Sequence, residues 1–155
     1  MMEVVVRLLG ERGVTVEDIG KIVLEIQKGY YPELTLDECV ASVESVIKKR
    51  EVQHAVMTGI AIDMLCERRL LPEPLQTIVR DDNFLYGVDE ILALAITNVY
   101  GSIGLTNFGY LDKTKPGLIG CLDAQSPDNV NTFLDDLVAG IAAAAAARIA
   151  HQREA

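Results

Sequence analysis

Two pairs of adjacent acids stand at the heads of two apolar segments that have the composition of helices. The pairs are Asp89-Glu90 and Asp135-Asp136. Mg²⁺ takes hard oxygen ligands and commonly binds one or two carboxylates, while water and substrate phosphate fill its other positions. Two acidic helix heads brought together by packing would supply such ligands, so the pattern indicates a site for a divalent metal ion and a phosphate.

The connection between the two acid pairs is rich in glycine and leads to a third acid and a lysine. Gly101, Gly104 and Gly109 could free backbone N–H groups for a phosphate, or they could form a tight turn between helices. Asp112 and Lys115 follow this connection, and a lysine can bind phosphate as a point charge. An ordinary solvated loop lysine accounts for Lys115 about as well.

Helix capping could also account for the acids. Acids in the first turn of a helix are favoured by the helix dipole, and Thr132 with Asp135 could form a capping box. Each pair alone is therefore more often a stabilising charge than a ligand. Capping does not require two adjacent acids at two helix heads, which favours the metal site.

The elements that must position these residues are helices. Val88–Tyr100 is apolar on every side from Ile91 to Ile96, which predicts that it is the buried centre of a bundle. A last helix is expected at about 132–150, and the small side chains of Ala142–Ala147 would let another backbone approach closely. We therefore predict an all-α, single-domain bundle over residues 1–155, with one buried central helix surrounded by others.

Helix starts are clearest in the first third of the chain. Thr15 is followed three residues later by Asp18, which is typical of a helix N-terminus. Thr35 precedes Asp37-Glu38 and predicts a second such start.

Composition excludes several classes of partner. A net charge of -9 argues against nucleic acid, which requires a basic surface. Cys39, Cys66 and Cys121 are too few and too far apart for a disulfide framework and indicate buried thiols of a reducing cytoplasm. The apolar run Leu137–Ala147 is about half the ~20 residues that span a bilayer, so we expect a soluble protein without a transmembrane segment.

His54 has no second histidine nearby and is expected to be structural.

Three runs, taken in order, resemble the phosphatidylglycerophosphatase A family, and in particular its soluble branch with the YutG and low temperature requirement C proteins. The runs are Val88–Thr97, Phe108–Pro116 and Leu134–Gly140. Their Asp-Glu, Asp-x-x-Lys-Pro and Asp-Asp-x-x-Ala-Gly elements are specific together, although none is specific alone.

The resemblance implies a Mg²⁺-dependent lipid phosphatase on an all-helical fold, with Mn²⁺ as a second candidate ion. The implied metal ligands are Asp89, Glu90, Asp135 and Asp136. The implied catalytic residues are Asp112, Asp136 and Lys115. The expected substrate is a phosphate monoester, with phosphatidylglycerophosphate the best candidate, met at the membrane surface by a cytoplasmic, peripheral protein.

Two other functions fit the residues. An all-helical, Mg²⁺-dependent nucleotide pyrophosphohydrolase would need a second Glu-x-x-Glu/Asp arrangement, for which Glu51 with His54 is a poor substitute. A non-catalytic interaction module would use the alanine-rich last helix to form a homo-oligomer and the acids as caps. The module would bind no divalent metal ion, and this separates it from both enzymes.

Overall fold

The computed structural model describes residues 1–124, 126 and 128–154, and these residues form a bundle of nine α-helices. In chain order the helices are α1 (Met2–Glu11), α2 (Val16–Gln27), α3 (Leu36–Ile47), α4 (Arg50–Glu67), α5 (Leu75–Arg80), α6 (Val88–Thr97), α7 (Gly101–Thr114), α8 (Leu118–Asp123) and α9 (Leu134–Glu154). Within the described residues there is no strand, and one isolated β-bridge pairs Ser126 with Asn129. The predicted all-α, single-domain bundle is confirmed.

The centre of the bundle is α9. Every residue from Leu134 to Ala147 is buried, and helices α2, α3, α4, α6, α7 and α8 all pack against it. The prediction that Val88–Tyr100 is the central helix was wrong, because Ile91 is 62% exposed and Val88 is 42% exposed. The run of alanines accounts for the difference, since short side chains let many neighbours reach one helix, whereas no described residue covers the bulky outer face of α6.

The small residues of α9 do bring another backbone close, as the sequence predicted. A Cβ atom added at Gly140 would lie 3.1 Å from the carbonyl oxygen of Ala93 in α6. The far ends of the two helices also meet, because Nε2 of His151 lies 3.2 Å from the carbonyl oxygen of Tyr100. Helices α6 and α9 are therefore packed side by side in the same direction.

This packing sets where the two acid pairs lie relative to each other along the parallel axes of α6 and α9. Ala93 lies one helical turn after Asp89, and Gly140 lies one turn after Asp136. Because Ala93 faces Gly140 and the helices run parallel, Asp89 and Asp136 stand at the same level. A glycine in the core thus places the acids of two helix heads next to each other.

Replacing Gly140 with alanine is expected to destabilise the protein by about 1–3 kcal/mol, because the new methyl group must displace the backbone of Ala93. Urea unfolding measures the change. The matched control is Gly10→Ala in α1, where a Cβ would meet nothing within 4 Å. This control is expected to gain up to about 1 kcal/mol from helix propensity. Equal stability of Gly140→Ala and wild type would contradict the close contact.

Helices α6 and α7 form a hairpin whose turn is the 3-10 segment Asn98–Tyr100 followed by Gly101 at φ 75°. The prediction that the glycines after Tyr100 lie in a connection between helices was wrong, because Gly101–Thr114 is itself a helix. Gly104 packs against this turn, and a Cβ there would lie 3.0 Å from the carbonyl oxygen of Thr97. Gly104 therefore serves helix packing and Gly101 the turn, while Gly109 lies within the helix, so these glycines do not form a phosphate-binding loop.

The hairpin is the one stretch of the described chain that is long and apolar enough to cross a membrane, judged by length and composition alone. The stretch Val88–Thr114 has 27 residues, is apolar for most of its length and is only partly buried in the bundle. The expectation of no spanning segment rested on Leu137–Ala147 and overlooked this longer stretch. In the bundle the chain reverses at Gly101, so each arm is shorter than the ~20 residues of a straight span.

Both predicted N-terminal caps are present. The Thr15 hydroxyl accepts a hydrogen bond from the backbone N–H of Asp18, and the backbone N–H of Thr15 donates to the Asp18 carboxylate. Thr35 and Glu38 form the same reciprocal pair at the start of α3. These contacts involve residues three apart in sequence, so local sequence specifies them.

Candidate functional site

Lys115 places its ammonium group among three carboxylates. It ends α7 in the left-handed conformation, with φ 44°, and is followed by Pro116. Its Nζ atom lies 2.8 Å from Asp135, 3.2 Å from Asp123 and 3.3 Å from Asp112. Burial by itself would lower the pKa of Lys115, but the hydrogen bond and charge of Asp135 and the hydrogen bond of Asp123 raise it overall, so the lysine is charged.

The two acids at the head of α9 are both buried but have different environments. Burial raises the pKa of Asp135 to about 6, although Lys115 lowers it in part. Burial also raises the pKa of Asp136, and the negative charges of Asp135, Asp112 and Asp89 add to it, bringing it to about 9. The site therefore holds more negative charge than its one lysine neutralises.

Asp89 at the head of α6 completes the buried part of the site. Burial raises its pKa, and the charges of Glu90 and Asp112 act in the same direction. Its Oδ1 atom is buried and has no hydrogen-bond partner in the described part of the protein. Glu90 is exposed, and both acids line a surface pocket of about 370 Å³. Such an unpaired buried oxygen is costly, which indicates a site that can take a further cation or donor.

Two further acids belong to this cluster and were not predicted. Asp82 is exposed overall, but partial burial of its carboxyl group raises its pKa, with Asp89 adding to the rise and Lys115 opposing it. Asp123 lies at the end of α8 and contacts Lys115. Asp82 lies in the turn between α5 and α6, where no helical spacing relates it to Asp89, so the sequence pattern did not indicate it. For Asp123 the sequence offered no signal, because the packing of α8 on α9 places it.

A third unpredicted acid, Asp63 of α4, holds the start of α9. Its carboxylate accepts hydrogen bonds from the backbone N–H of Phe133, at 3.1 Å, and of Leu134, at 3.0 Å. Asp63 is fully buried, and burial raises its pKa to about 8 against the lowering effect of these bonds. The predicted capping box was wrong, because the Thr132 hydroxyl instead donates to the carbonyl oxygen of Val79. An acid from a distant helix therefore fixes the helix head that carries Asp135.

The donor set is suited to a hard divalent cation. All the candidate ligands are carboxylates, which Mg²⁺ and Mn²⁺ accept, and Asp89 Oδ1 has no other partner in the described chain. Among residues 1–124, 126 and 128–154, no three or more His, Cys, Asp or Glu side chains stand in an arrangement that could hold a metal ion. The ammonium of Lys115 lies among the carboxylates, so binding an ion requires these side chains to turn from the lysine.

The six predicted site residues gather at one end of the bundle, where α6 and α9 begin and α7 ends. They are Asp89, Glu90, Asp112, Lys115, Asp135 and Asp136. His54 does not join them, since it is exposed on α4, and its backbone oxygen accepts a hydrogen bond from Thr58. His151 lies beside Tyr100 at the opposite end of α9.

These features place the chain in a class of all-helical proteins with a buried acidic site at the heads of two parallel helices. The family described as Phosphatidylglycerophosphatase A matches residues 12–151. The chain belongs to this family, and membership indicates a phosphatase. The resemblance of the three sequence runs is thereby confirmed.

Relatives and solved structures lie in the predicted branch. "Uncharacterized protein YpjQ" of Bacillus subtilis (strain 168) is 57% identical over 154 residues, which cover 99% of this chain and 86% of YpjQ. "Uncharacterized protein YutG" of the same organism is 54% identical over 142 residues, covering 92% of this chain and 86% of YutG. The crystal structure of the low temperature requirement C protein from Listeria monocytogenes matches with a TM-score of 0.97 at 52% identity, covering 99% of this chain and 97% of that chain.

Proposed function

We propose that this protein is a Mg²⁺-dependent phosphatase that hydrolyses a phosphate monoester, with phosphatidylglycerophosphate as substrate and phosphatidylglycerol as product. The observation that carries the proposal is the buried acidic cluster around Lys115 in a member of the phosphatidylglycerophosphatase A family. Buried carboxylates in excess of positive charge are costly, and proteins keep such clusters where they bind cations or substrates.

Asp89, Asp135 and Asp136 would hold the ion, together with the exposed Glu90. When bound, Mg²⁺ neutralises phosphate charge and lowers the pKa of a coordinated water. Packing of Gly140 on Ala93 supports this assignment, because it holds the heads of α6 and α9 at one level.

Lys115 and Asp112 would act on the substrate itself. The Lys115 ammonium is charged and reaches three carboxylates, so it can exchange one of them for a phosphate oxygen. Asp112 is partly exposed and in contact with Lys115, so its carboxylate can accept a proton from the attacking water. Hydrolysis then transfers the phosphoryl group to water, and the leaving alcohol takes up a proton.

Phosphate release from a panel of substrates tests the proposal. The panel contains phosphatidylglycerophosphate in detergent micelles, a short-chain soluble analogue and glycerol phosphate, each with Mg²⁺, Mn²⁺ or EDTA. Nucleoside triphosphates assayed for pyrophosphate test the pyrophosphohydrolase alternative. We expect release from the lipid substrate with Mg²⁺ and none in EDTA. Absence of phosphate release from every ester with either ion would reject the proposal.

Lys115→Ala is expected to lower phosphate release at least about 100-fold, because it removes the cation that meets the phosphate. Lys113→Ala is the matched control, since Lys113 is an exposed lysine in the last turn of the same helix, two residues away. Steady-state kinetics of both variants measure the effect. An equal loss in the two variants would show that α7, and not the Lys115 ammonium, is responsible.

A further inference from the structure

Large apolar side chains are exposed beside the acidic pocket. Phe84 is 88% exposed and Leu85 is 85% exposed, and they lie in the turn just before α6. Val88 and Ile91 continue the exposed apolar surface along the first turn of α6. Residues 83–88 carry no charged side chain, although Asp82 and Asp89 flank them, so the segment itself brings no ionic charge into an apolar environment.

The turn that carries Phe84 and Leu85 is anchored to the protein core by the next residue, Tyr86. The ring of Tyr86 packs edge-on against the buried ring of Phe133, with centroids 5.9 Å apart. Leu85 has φ 69°, a left-handed conformation that costs a non-glycine residue about 1–3 kcal/mol. The backbone is thus fixed in a strained conformation that leaves two large side chains in solvent.

The same residues line the pocket that holds the acids. Phe84, Leu85, Asp89 and Glu90 all contribute to its wall. A ligand whose phosphate reaches Asp89 and whose remainder leaves the pocket therefore passes Phe84 and Leu85. A ligand of this shape has a charged head and an apolar body.

We propose that the Phe84-Leu85 turn is a membrane-docking element that inserts into the surface of a lipid bilayer and brings the acidic pocket to a phosphate-ester lipid. The inference rests on the proposed function, because the apolar body of a lipid substrate is what would contact Phe84 and Leu85. The chain could not reach such a substrate by charge attraction, since its net charge is -9 and anionic lipids would repel it. Insertion of apolar side chains would instead attract the protein to the bilayer through the hydrophobic effect.

Charge favours a bilayer over a second copy of the chain as the partner. A two-fold dimer brings the same surface of both copies together. The exposed Asp82 and Glu90 of one copy would then face those of the other, next to two buried acidic clusters. A zwitterionic lipid surface brings no such repulsion.

Fluorescence tests the insertion directly, because the chain has no tryptophan. The Phe84→Trp variant, mixed with phosphatidylcholine vesicles containing phosphatidylglycerophosphate, is expected to show a blue-shifted emission that brominated lipids quench. The matched control is Tyr30→Trp, at a 79% exposed position in the turn after α2, whose emission should stay unchanged. Unchanged emission of both variants would overturn the inference.

Activity on two forms of one substrate separates docking from catalysis. The Phe84→Ser, Leu85→Ser double variant is expected to bind vesicles about tenfold more weakly or worse, and to lose hydrolysis of vesicle-borne lipid in proportion. Its hydrolysis of the short-chain soluble analogue should fall much less than its hydrolysis of the vesicle-borne lipid, because the soluble analogue reaches the pocket without docking, and an equal fall for both substrates would contradict a docking role. If wild type hydrolyses neither form, the proposed phosphatase fails, while vesicle flotation of the same proteins still decides whether the turn docks.

Two further measurements distinguish lipid docking from a loss of stability and from self-association. Leu85→Gly removes the side chain and also relieves the positive φ, so this variant should be at least as stable as wild type and still bind vesicles more weakly. Vesicle binding equal to wild type would overturn the inference. Light scattering gives the oligomeric state, and a double variant that changes from an oligomer to a monomer would instead assign the surface to self-association.

Discussion

Replacing Asp136 with asparagine is expected to make the metal-free protein more stable and at the same time inactive. The buried Asp136 carboxylate has its pKa raised to about 9 by burial and by the charges of Asp135, Asp112 and Asp89. Asparagine has nearly the same shape and cannot ionise, so it removes the cost of protonating this group below a pH of about 9 and the repulsion above it. The melting temperature in EDTA should rise by at least about 4 °C, and phosphate release should fall at least about 1000-fold.

The gain in stability depends on pH in a defined direction. The pKa of Asp136 is 3.8 when unperturbed and about 9 in the folded protein, so between these values the folded state binds a proton that the unfolded state has lost. The free energy of unfolding of the metal-free wild type therefore falls as pH rises through this window. The advantage of Asp136→Asn should be absent near the lower value and complete near the upper one.

Thermal denaturation of both proteins in EDTA across this range measures the effect. Asp37→Asn is the matched control, because Asp37 is an exposed acid in the first turn of α3 and should give no such gain. Adding Mg²⁺ should then raise the melting temperature of wild type but not of Asp136→Asn. A destabilised Asp136→Asn protein in EDTA at high pH would contradict the proposed repulsion within the acidic cluster.

Replacing Asp63 with alanine is expected to lower the free energy of unfolding by about 2–6 kcal/mol. The carboxylate is fully buried and accepts from the backbone N–H groups of Phe133 and Leu134. Alanine leaves both donors buried without an acceptor, and each costs about 1–3 kcal/mol. Because these donors begin α9, the head that carries Asp135 and Asp136 should also lose its position. Urea unfolding measures the first effect and phosphate release the second.

Asp63→Asn separates the hydrogen bonds from the volume of the side chain. The asparagine amide keeps one acceptor oxygen in a side chain of the same size and cannot ionise. Near the unperturbed pKa of 3.8, where the raised pKa of Asp63 costs little stability, this variant should lie between wild type and Asp63→Ala in stability. If Asp63→Ala unfolds at the same urea concentration as wild type, the N–H groups of Phe133 and Leu134 do not depend on Asp63.

Features that depend on neighbouring residues were predictable from the sequence. The caps at Thr15 and Thr35 need only a partner three residues away, and both are present. The acid pairs at the heads of α6 and α9 were predictable for the same reason, since first-turn acids follow from the helix start. Order along the chain and the requirement for hard ligands then indicated one shared site.

Features that depend on packing between distant residues were not predictable. Asp63 and Leu134 are 71 residues apart, and Thr132 looked like the local alternative for the same cap. The two helices α6 and α9 are both apolar on most sides, and only the neighbours around each decide which is central. In α7, glycines suggested a loop because helix propensity disfavours them, whereas the contact of Gly104 with Thr97 makes a small residue useful there.

The position of α9 in the chain also affects how the protein is made. The helix that forms the core follows the other helices in sequence, so during synthesis the surfaces that will bury Leu134–Ala147 emerge from the ribosome before their partner does. Until then helices α2, α3, α4, α6 and α7 lack the helix on which all of them pack, and such intermediates are prone to aggregate. Nascent chains are thus expected to need chaperone protection until residues 134–150 are released, when the bundle and its acidic site form together.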